Sequence, residues 1–598
     1  MLRTNSREST SMLLTSPFPP LPPLPDLNIY NLLFNRPDQA EWPEYTFQVD
    51  HKTGRKRTLK EAQAQIALAA TAFTTPILAG GLGLKPDSET ETIVALVGHN
   101  SLEYYDAVLS LLCITIPCAL ISAYSTRREL VHGLKLVKAT HVLVDAKLLK
   151  NVLDAIDADP ELRQQLDADK VRILAGAPSK HAGPKSLVEM VDSVKQANLP
   201  IESIRPATKD TLAYLVMSSG TSGLPKAVMI THGNLVSMTL QSITAAQLTD
   251  IYNGPPRTKT IPSVLAVMPL FHSYGLHVYL FRATLAPATF VFFERWNLTE
   301  WLRAIPKYKI TYLTLVPSFV HQIVDHPDFM KTDMRSVEGI LSGGAHLPPA
   351  LANRLTGHLR KNVQLTIGYG LSECTLMAHS RPPPGAFGHV NGTPENSTGV
   401  LIPGMTGRIV RDDGSDAPLG DVGELWIKGP NVSPGYWNNP AANKETFVDG
   451  WLRTGDFFSL DKAGFFYFAD RGKDTLKVSG AQVSPKEIED VLFAHPEKLV
   501  SDVSVAGVSG GRTADEKVPR AWVMLSDSGK RKGREASVDA LVTWHREQLS
   551  RYKWLRGGIE VVNEIPKSPT GKTMRRVLQE EYEKQVRAGN SGLVAAKL

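Results

Sequence analysis

Residues 218–226 read SSGTSGLPK, a run of small hydroxyls and glycines that ends in a lysine. Backbone amides at such a turn form a nest for phosphate oxygens, the hydroxyls of Ser218, Ser219, Thr221 and Ser222 add donors, and Lys226 adds a charge. The glycines Gly220 and Gly223 do not have the G-x-x-x-x-G-K-[ST] spacing, and Pro225 sits directly before the lysine, so a P-loop is not indicated. On its own this pattern is also met in plain loops. Other residue types suited to chemistry stand downstream: His272 among aromatics in PLFHSYG, Glu373 in GYGLSE, Asp456 in WLRTGD and Lys572 in PTGK.

Such groups need a scaffold. Apolar β-rich runs at 93–99, 140–146, 211–218, 264–269, 310–317 and 363–370 alternate with helical patterns. Continuous apolar strands separated by helices predict parallel sheets covered on both faces, an α/β architecture. From about 385 to 470 the chain turns to short strands broken by glycine, which predicts antiparallel hairpins or a small barrel. After DRGKD (470–474) the texture becomes charged, with helices predicted over SPKEIEDVLFAH and RRVLQEEYEKQVRA. The expected domains are a Pro-rich leader (1–40), a large N-terminal domain (41–472) with its β-barrel-like part at 385–470, and a small α+β C-terminal domain (473–598).

At 598 residues and 42% hydrophobic content the chain is long enough for at least two cores. The three cysteines, Cys113, Cys118 and Cys374, give neither a disulfide framework nor metal spacing. A net charge of +6 with no long basic block argues against nucleic acid as the main partner. From Asp474 onward 21 Lys and Arg face 17 Asp and Glu, so most of the excess lies at the C-terminal end. The uncharged run AVLSLLCITIPCALISAY (107–124) is interrupted by Pro117 and reads as a buried helix followed by a buried strand rather than a membrane span. No apolar h-region with a cleavage site opens the chain, so secretion is not expected. The sequons at Asn297 and Asn396 then carry little weight.

SSGTSGLPKAV resembles the phosphate-binding signature of the adenylate-forming superfamily, which includes acyl-CoA synthetases, 4-coumarate:CoA ligases and firefly luciferase. PLFHSYG, SGGAH (342–346), GYGLSE, GELWIKGP, WLRTGD, DRGKDTLKVSGAQVSPKEIE and PKSPTGKTMRR follow in that family's order across about 360 residues. The resemblance implies an ATP-dependent acyl-CoA ligase: an acid attacks the α-phosphate of ATP, pyrophosphate leaves, and the thiol of coenzyme A displaces AMP from the acyl-adenylate. Two anions meet in the first step, so the site must supply positive charge and alignment.

By the same resemblance Lys572 bridges the carboxylate and the α-phosphate, and His272 sits beside the carboxylate. The nucleotide is held by Ser218 to Gly223, Lys226, Gly344, Ala345, Gly368, Tyr369, Gly370, Leu371 and Ser372. Asp456 accepts from the ribose hydroxyls, and Arg471 supports the sugar or phosphates. Glu373, with Thr221, positions magnesium. Lys473 is the hinge, while Lys477, Gly480 and Gln482 form the thioester-forming face, with Lys477 and Gly480 toward coenzyme A. Tyr274, Ser318, His321, Gly343 and Gly368 are expected, with His272, to border the acyl pocket. The basic stretch GKRKGRE (529–535) is expected to be a solvated loop.

Ala227 stands where the family has glycine, and Ser222 and Ser372 where it has threonine; the serines keep the hydroxyl. Ala596, Lys597 and Leu598 resemble the peroxisomal address of the SKL type and imply an import receptor as partner. A luciferase-like oxygenase and a non-catalytic nucleotide-binding relative remain as alternatives, and the acid itself is not legible.

Overall fold

The computed structural model describes residues 13–587 except 86–91, 168, 177–183, 219–224, 254–259, 346, 361–362, 391, 412, 472–475, 479–480, 510–516, 550–552 and 569–572. Two parallel-type sheets carry the large region. One runs in the order Val171–Ile173, His141–Val144, Val94–Gly98, Cys118–Ser122, Leu212–Ser218, with Lys226–Thr231 added antiparallel at the edge. The other runs Gln364–Ile367, Gly339–Ser342, Tyr312–Leu315, Ser263–Ala266, Thr289–Phe292, Gln48–Asp50, with Lys56–Arg57 closing an antiparallel hairpin. All five residues of Val94–Gly98 are buried, as expected of a strand covered on both faces.

The run 107–124 resolves as the end of a helix, Leu102–Cys113, and the strand Cys118–Ser122, both in the core. Ser101 caps that helix by accepting from Tyr104 N at 3.0 Å. Among the described residues no helix is long and apolar enough to cross a membrane, and all three cysteines are buried and unpaired.

A third sheet is antiparallel: Leu14–Thr15, Thr406–Val410, Gly423–Lys428, Trp451–Leu460 and Phe447–Val448 in order, with Phe466–Arg471 paired to Trp451–Leu460. Gly423–Lys428 alternates buried and half-buried residues, the signature of a sheet with one covered face. The described part of the Pro-rich leader, from residue 13 onward, packs into the body. Leu14 and Thr15 pair with Gly407 and Thr406, the helix Ile29–Phe34 buries Ile29 and Leu33 completely, and Asn28 Nδ2 donates to the carbonyls of Leu112 and Arg205, both at 2.9 Å.

The C-terminal region has its own apolar clusters, centred on Ile488, Leu492, Val505 and Val523 and on Val508, Trp522 and Leu578. Its strands Val500–Ser509 and Lys517–Leu525 pair antiparallel, and Ile559–Val561 adds in parallel. The basic stretch 529–535 is not a loop: it spans the end of helix Asp527–Lys532 and the start of Arg534–Gln548. Gly533, at φ +93°, makes the break, a conformation costly for any other residue.

Candidate functional site

The ends of the parallel strands converge on one cavity of about 410 Å³. Ser218 ends its strand; Ser342 ends another and leads into Gly343 and Gly344; Ile367 ends a third and leads into Gly368 to Ser372. The segment after Ser263–Ala266 turns through Pro269 to His272, which caps the short helix Ser273–Leu276. Ser218, His272, Ser342 to Gly344 and Gly368 to Ser372, with Tyr274, Lys226, Glu373 and Asp456, line the same space. The sheet edge thus gathers side chains far apart in sequence.

The loop with the phosphate-nest pattern joins two antiparallel strands, since Lys226–Thr231 pairs back on Leu212–Ser218 before the helix His232–Asn253 begins. Ser219 to Gly223 lie outside the described residues, but Ser218 and Lys226 face each other across the ladder at the loop's base. Ala227 sits in this strand and is fully buried, so the position that differs from the family pattern is a packed strand residue.

Glu373 is 7% exposed. Its Oε1 accepts from Ser218 Oγ and from Tyr436 Oη, each at 2.9 Å, and the residue lines the cavity. Burial first, and Glu373 second, raise the Tyr436 phenol above its ordinary range, so it remains a donor to that carboxylate. Lys226 Nζ lies 4.8 Å from the centre of the Tyr436 ring. Ser372 and Ser273 share a hydrogen bond of 2.9 Å between their hydroxyls.

On the opposite wall Asp456, 4% exposed, accepts from Tyr369 Oη at 2.7 Å. Asp456 and Arg471 are direct partners in the antiparallel ladder. Gly370 has a local reason to be glycine: a Cβ there would lie 1.7 Å from the Leu376 carbonyl oxygen. Gly343 and Gly368 do not. An added Cβ would meet nothing closer than 3.7 Å at Gly343 and 3.9 Å at Gly368, so their smallness leaves cavity volume.

Tyr274 borders the cavity with its hydroxyl turned into the wall, donating to the Leu341 carbonyl at 2.9 Å. Ser318 and His321, expected beside it, line a different cavity of about 210 Å³. They stand on the helix Pro317–Asp325 after the strand Tyr312–Leu315, which aims them at the C-terminal region. There His321 Nε2 lies 3.9 Å from Asp502, and its ring packs 5.0 Å from that of Phe493. Gly344, Gly368, Tyr369, Gly370 and Asp456 line both spaces, so the two are adjacent, while Ala345 lines the second.

The C-terminal region brings Lys486, Glu489, Asp502, Lys567 and Arg575 to that second cavity. Arg575 Nη2 pairs with Glu489 at 2.8 and 2.9 Å, Lys486 with Asp490 at 3.1 Å, and Lys567 with Asp502. Lys473, Gly480 and Lys572 lie outside the described residues, yet Thr573, the neighbour of Lys572, lines the cavity. Lys477 and Gln482 are direct partners in the hairpin of Leu476–Val478 and Ala481–Val483. Ala596, Lys597 and Leu598 are likewise outside the described residues.

Three features of the site escaped sequence reasoning. Tyr436 stands in a turn-rich run, NVSPGYWNNP, where the aromatic was the only signal. Arg282 is a lone charge closing an apolar run, HVYLF, a signal that was available. The Arg453–Glu424 pair, 2.9 Å and lining the cavity, lies on neighbouring strands and could not be read from spacing.

The model of the AMP-binding enzyme family matches residues 36–437, and that of the AMP-binding enzyme C-terminal domain matches 487–572. Acyl-CoA synthetase 7 of Caenorhabditis elegans is 32% identical over 69% of this chain and 72% of its own. The 4-coumarate--CoA ligase-like 4 of rice, Oryza sativa subsp. japonica, is 32% identical over 89% of both chains. Luciferin 4-monooxygenase of Photuris pensylvanica is 29% identical over 82% of this chain and 85% of its own. Among solved structures, the anthranilate CoA ligase AuaEII in complex with anthranoyl-AMP superposes with a TM-score of 0.77 at 23% identity, covering 94% of this chain and 99% of that one. An ATP-bound MatB from Rhodopseudomonas palustris gives a TM-score of 0.75 at 22% identity, covering 93% and 99%.

Proposed function

The chain belongs to the AMP-binding enzyme family and is an ATP-dependent acid–thiol ligase of the AMP-forming type, and on that premise we propose how its residues divide the work. The observation that carries the assignment is the convergence of Lys226, Glu373 and Asp456 on one cavity beside the glycine-lined space under Tyr274. ATP lies along Gly344, Ala345 and Gly368 to Ser372, with its ribose on Asp456 and Arg471 and its triphosphate in the Ser218 to Gly223 loop. Asp456 suits a ribose because an ionised carboxylate accepts and never donates. The acid occupies the space bordered by His272, Tyr274, Gly343 and Gly368.

Glu373 suits a hard divalent cation: it lines the cavity, and two hydroxyls fix one oxygen of a carboxylate that has a second oxygen to offer. Glu373, with Thr221, would hold magnesium, which when bound neutralises phosphate charge. Two anions approach during adenylation, and Lys226 and Lys572 lower that cost by supplying fixed positive charge, Lys572 bridging the carboxylate and the α-phosphate. The acid's oxygen forms the bond to phosphorus as pyrophosphate departs. In the second half-reaction the coenzyme A sulfur bonds to the acyl carbon and AMP leaves. We assign that step to the face carrying Lys477, Gly480 and Gln482, brought in by rotation at Lys473 of a domain spanning 473–598 relative to one spanning 41–472. The terminal Ala596, Lys597 and Leu598 support a peroxisomal location through an import receptor.

The test is acid-dependent exchange of pyrophosphate into ATP, followed by detection of the acyl-CoA thioester. Exchange and thioester with at least one carboxylic acid are expected. ATP binding without exchange for any acid would leave a nucleotide-binding relative, and light emission with luciferin would place the chain with the oxygenases.

A further inference from the structure

Arg282 follows the single π-helical turn His277–Phe281 and lines the same cavity as His272 and Glu373. Its Nε donates to Ser242 Oγ and its Nη2 to Met377 Sδ, both at 3.2 Å. No carboxylate pairs with it among the described residues, although buried guanidinium groups are ordinarily matched to an anion. The nearby titratable groups do not answer the charge either. Burial keeps the Tyr274 phenol protonated, and burial, with Arg282 second, depresses His277 to about 3, so its imidazole is neutral.

Position adds to the chemistry. Tyr274, Val278 and Arg282 recur at four-residue spacing along one wall of the cavity, so Arg282 lies about 12 Å along the helical run from Tyr274 at ~1.5 Å per residue. Arg282, Leu341 and Met377 also line a third cavity, of about 190 Å³. The guanidinium therefore stands in the partition where the acyl space ends. A one-turn π-helix beside it is a feature that recurs at functional sites, because it re-aims the side chains that follow.

We propose that Arg282 is the specificity residue for the acyl tail, and that the acid this enzyme activates carries an oxygen acceptor remote from its reacting carboxyl, a second carboxylate being the strongest form. A guanidinium has five donors, and Ser242 and Met377 engage one on Nε and one on Nη2, which leaves both N–H groups of Nη1 and one of Nη2 for such an oxygen. This rests on reading the cavity under Tyr274 as the acyl pocket.

The experiment measures kcat/KM for pyrophosphate release with three matched sets: octanoic and decanoic acids, their ω-hydroxy counterparts, and suberic and sebacic acids. Wild type is expected to prefer an oxygenated tail of either kind over methyl. In Arg282→Met the ratio of oxygenated to methyl-terminated substrate should fall at least about tenfold, the scale of one lost charge-assisted hydrogen bond. Arg282→Lys, which keeps the charge but not the fork, should lie between. Preference for the methyl-terminated acids in wild type, or a ratio that moves less than about twofold in Arg282→Met, overturns the proposal. If Arg282→Met does not fold, the wild-type preference and the Arg282→Lys ratio decide by the same criterion. Pyrophosphate release from none of these six acids, with exchange supported by an acid of another class, also overturns the proposal, whereas exchange with no acid at all would overturn the ligase assignment on which it stands.

Discussion

The two regions that face the nucleotide cavity are built by different means. On the large side each carboxylate is fixed from behind: Glu373 by Ser218 and Tyr436, Asp456 by Tyr369. Glu373 stands on the short helical turn Ser372–Cys374 that follows the end of the strand Gln364–Ile367, and Asp456 stands within the strand Trp451–Leu460, whose Leu452, Phe458 and Leu460 are sealed in an apolar cluster. On the C-terminal side the groups that reach across belong to ion pairs made mostly within that region, such as Arg575–Glu489 and Lys567–Asp502. The described contacts between the sides include the Asp502 and Phe493 approach to His321 and a hydrogen bond of 3.1 Å from Ser484 Oγ to the Ala469 carbonyl. A polar interface of this kind can be broken and remade at small cost, whereas a strand end cannot move without its sheet. One side is preorganised for the nucleotide; the other is held in a way that suits the rotation proposed above.

The largest expected break in that comparison comes at Lys572. Lys572→Ala should slow acyl-adenylate formation by about 10²- to 10³-fold, the scale for one group that stabilises developing charge in a transition state. Thioester formation from supplied acyl-adenylate should stay within about threefold, because the lysine belongs to only one face of the C-terminal region. Single-turnover assays of each half-reaction check this. Equal losses in both would mean that the C-terminal region acts as one fixed wall.

The architecture was legible because all six apolar runs are strands and because the polar-interrupted texture after 385 marks a sheet with one covered face. The nucleotide-side residues were legible because strand ends carry them in motifs. The second strand of the 218–231 hairpin was missed: the glycines and Pro225 look like a simple strand-to-helix turn, and only pairing with Leu212–Ser218 reveals Lys226–Thr231. The docked leader was missed because its prolines suggest a spacer, while its burial depends on Leu112 and Arg205, far along the chain. Ser318 and His321 line the cavity adjacent to the one that Tyr274 borders, a separation not legible in the sequence, since a helix after a strand can face either neighbour. Arg282 was passed over although a lone charge in an apolar run asks for a partner.

Acid should separate the regions next. His232, His277 and His379 are fully buried in the large region, and burial depresses them to about 4, about 3 and about 3. The unfolded chain binds a proton at each below about pH 6.5 while the folded one does not, so stability is full above that value and lost as pH falls toward the folded values. At about pH 5 the cost is about 2 kcal/mol per histidine. In the C-terminal region His495 and His545 are also lowered by burial, but only in the large region do the shifts reach these values among the described histidines. Urea unfolding followed from pH 7.5 to 5 should show the large region's transition moving to lower urea faster than the C-terminal one. Parallel movement would erase this difference.

The finest test concerns the contact between the sides. Burial, opposed second by Asp502, holds the His321 imidazole below its ordinary range, so near neutral pH it meets Asp502 as a neutral ring rather than as half of an ion pair. Its hold on the C-terminal region is therefore packing against Phe493 and a weak polar contact, on the scale of about 0.5–1 kcal/mol. His321→Ala should shift the ratio of the two half-reaction rates by about two- to fivefold, with adenylation the slower to recover, because the docked arrangement seen here is the one in which Thr573 lines the cavity. Lowering the pH of the wild type below about 6.5 should move the ratio the same way, since undocking lets His321 take up a proton that the docked ring refuses. A ratio that stays constant in His321→Ala while both rates fall together would assign His321 to the large region's own stability, and leave the docked orientation to the backbone near Ser484.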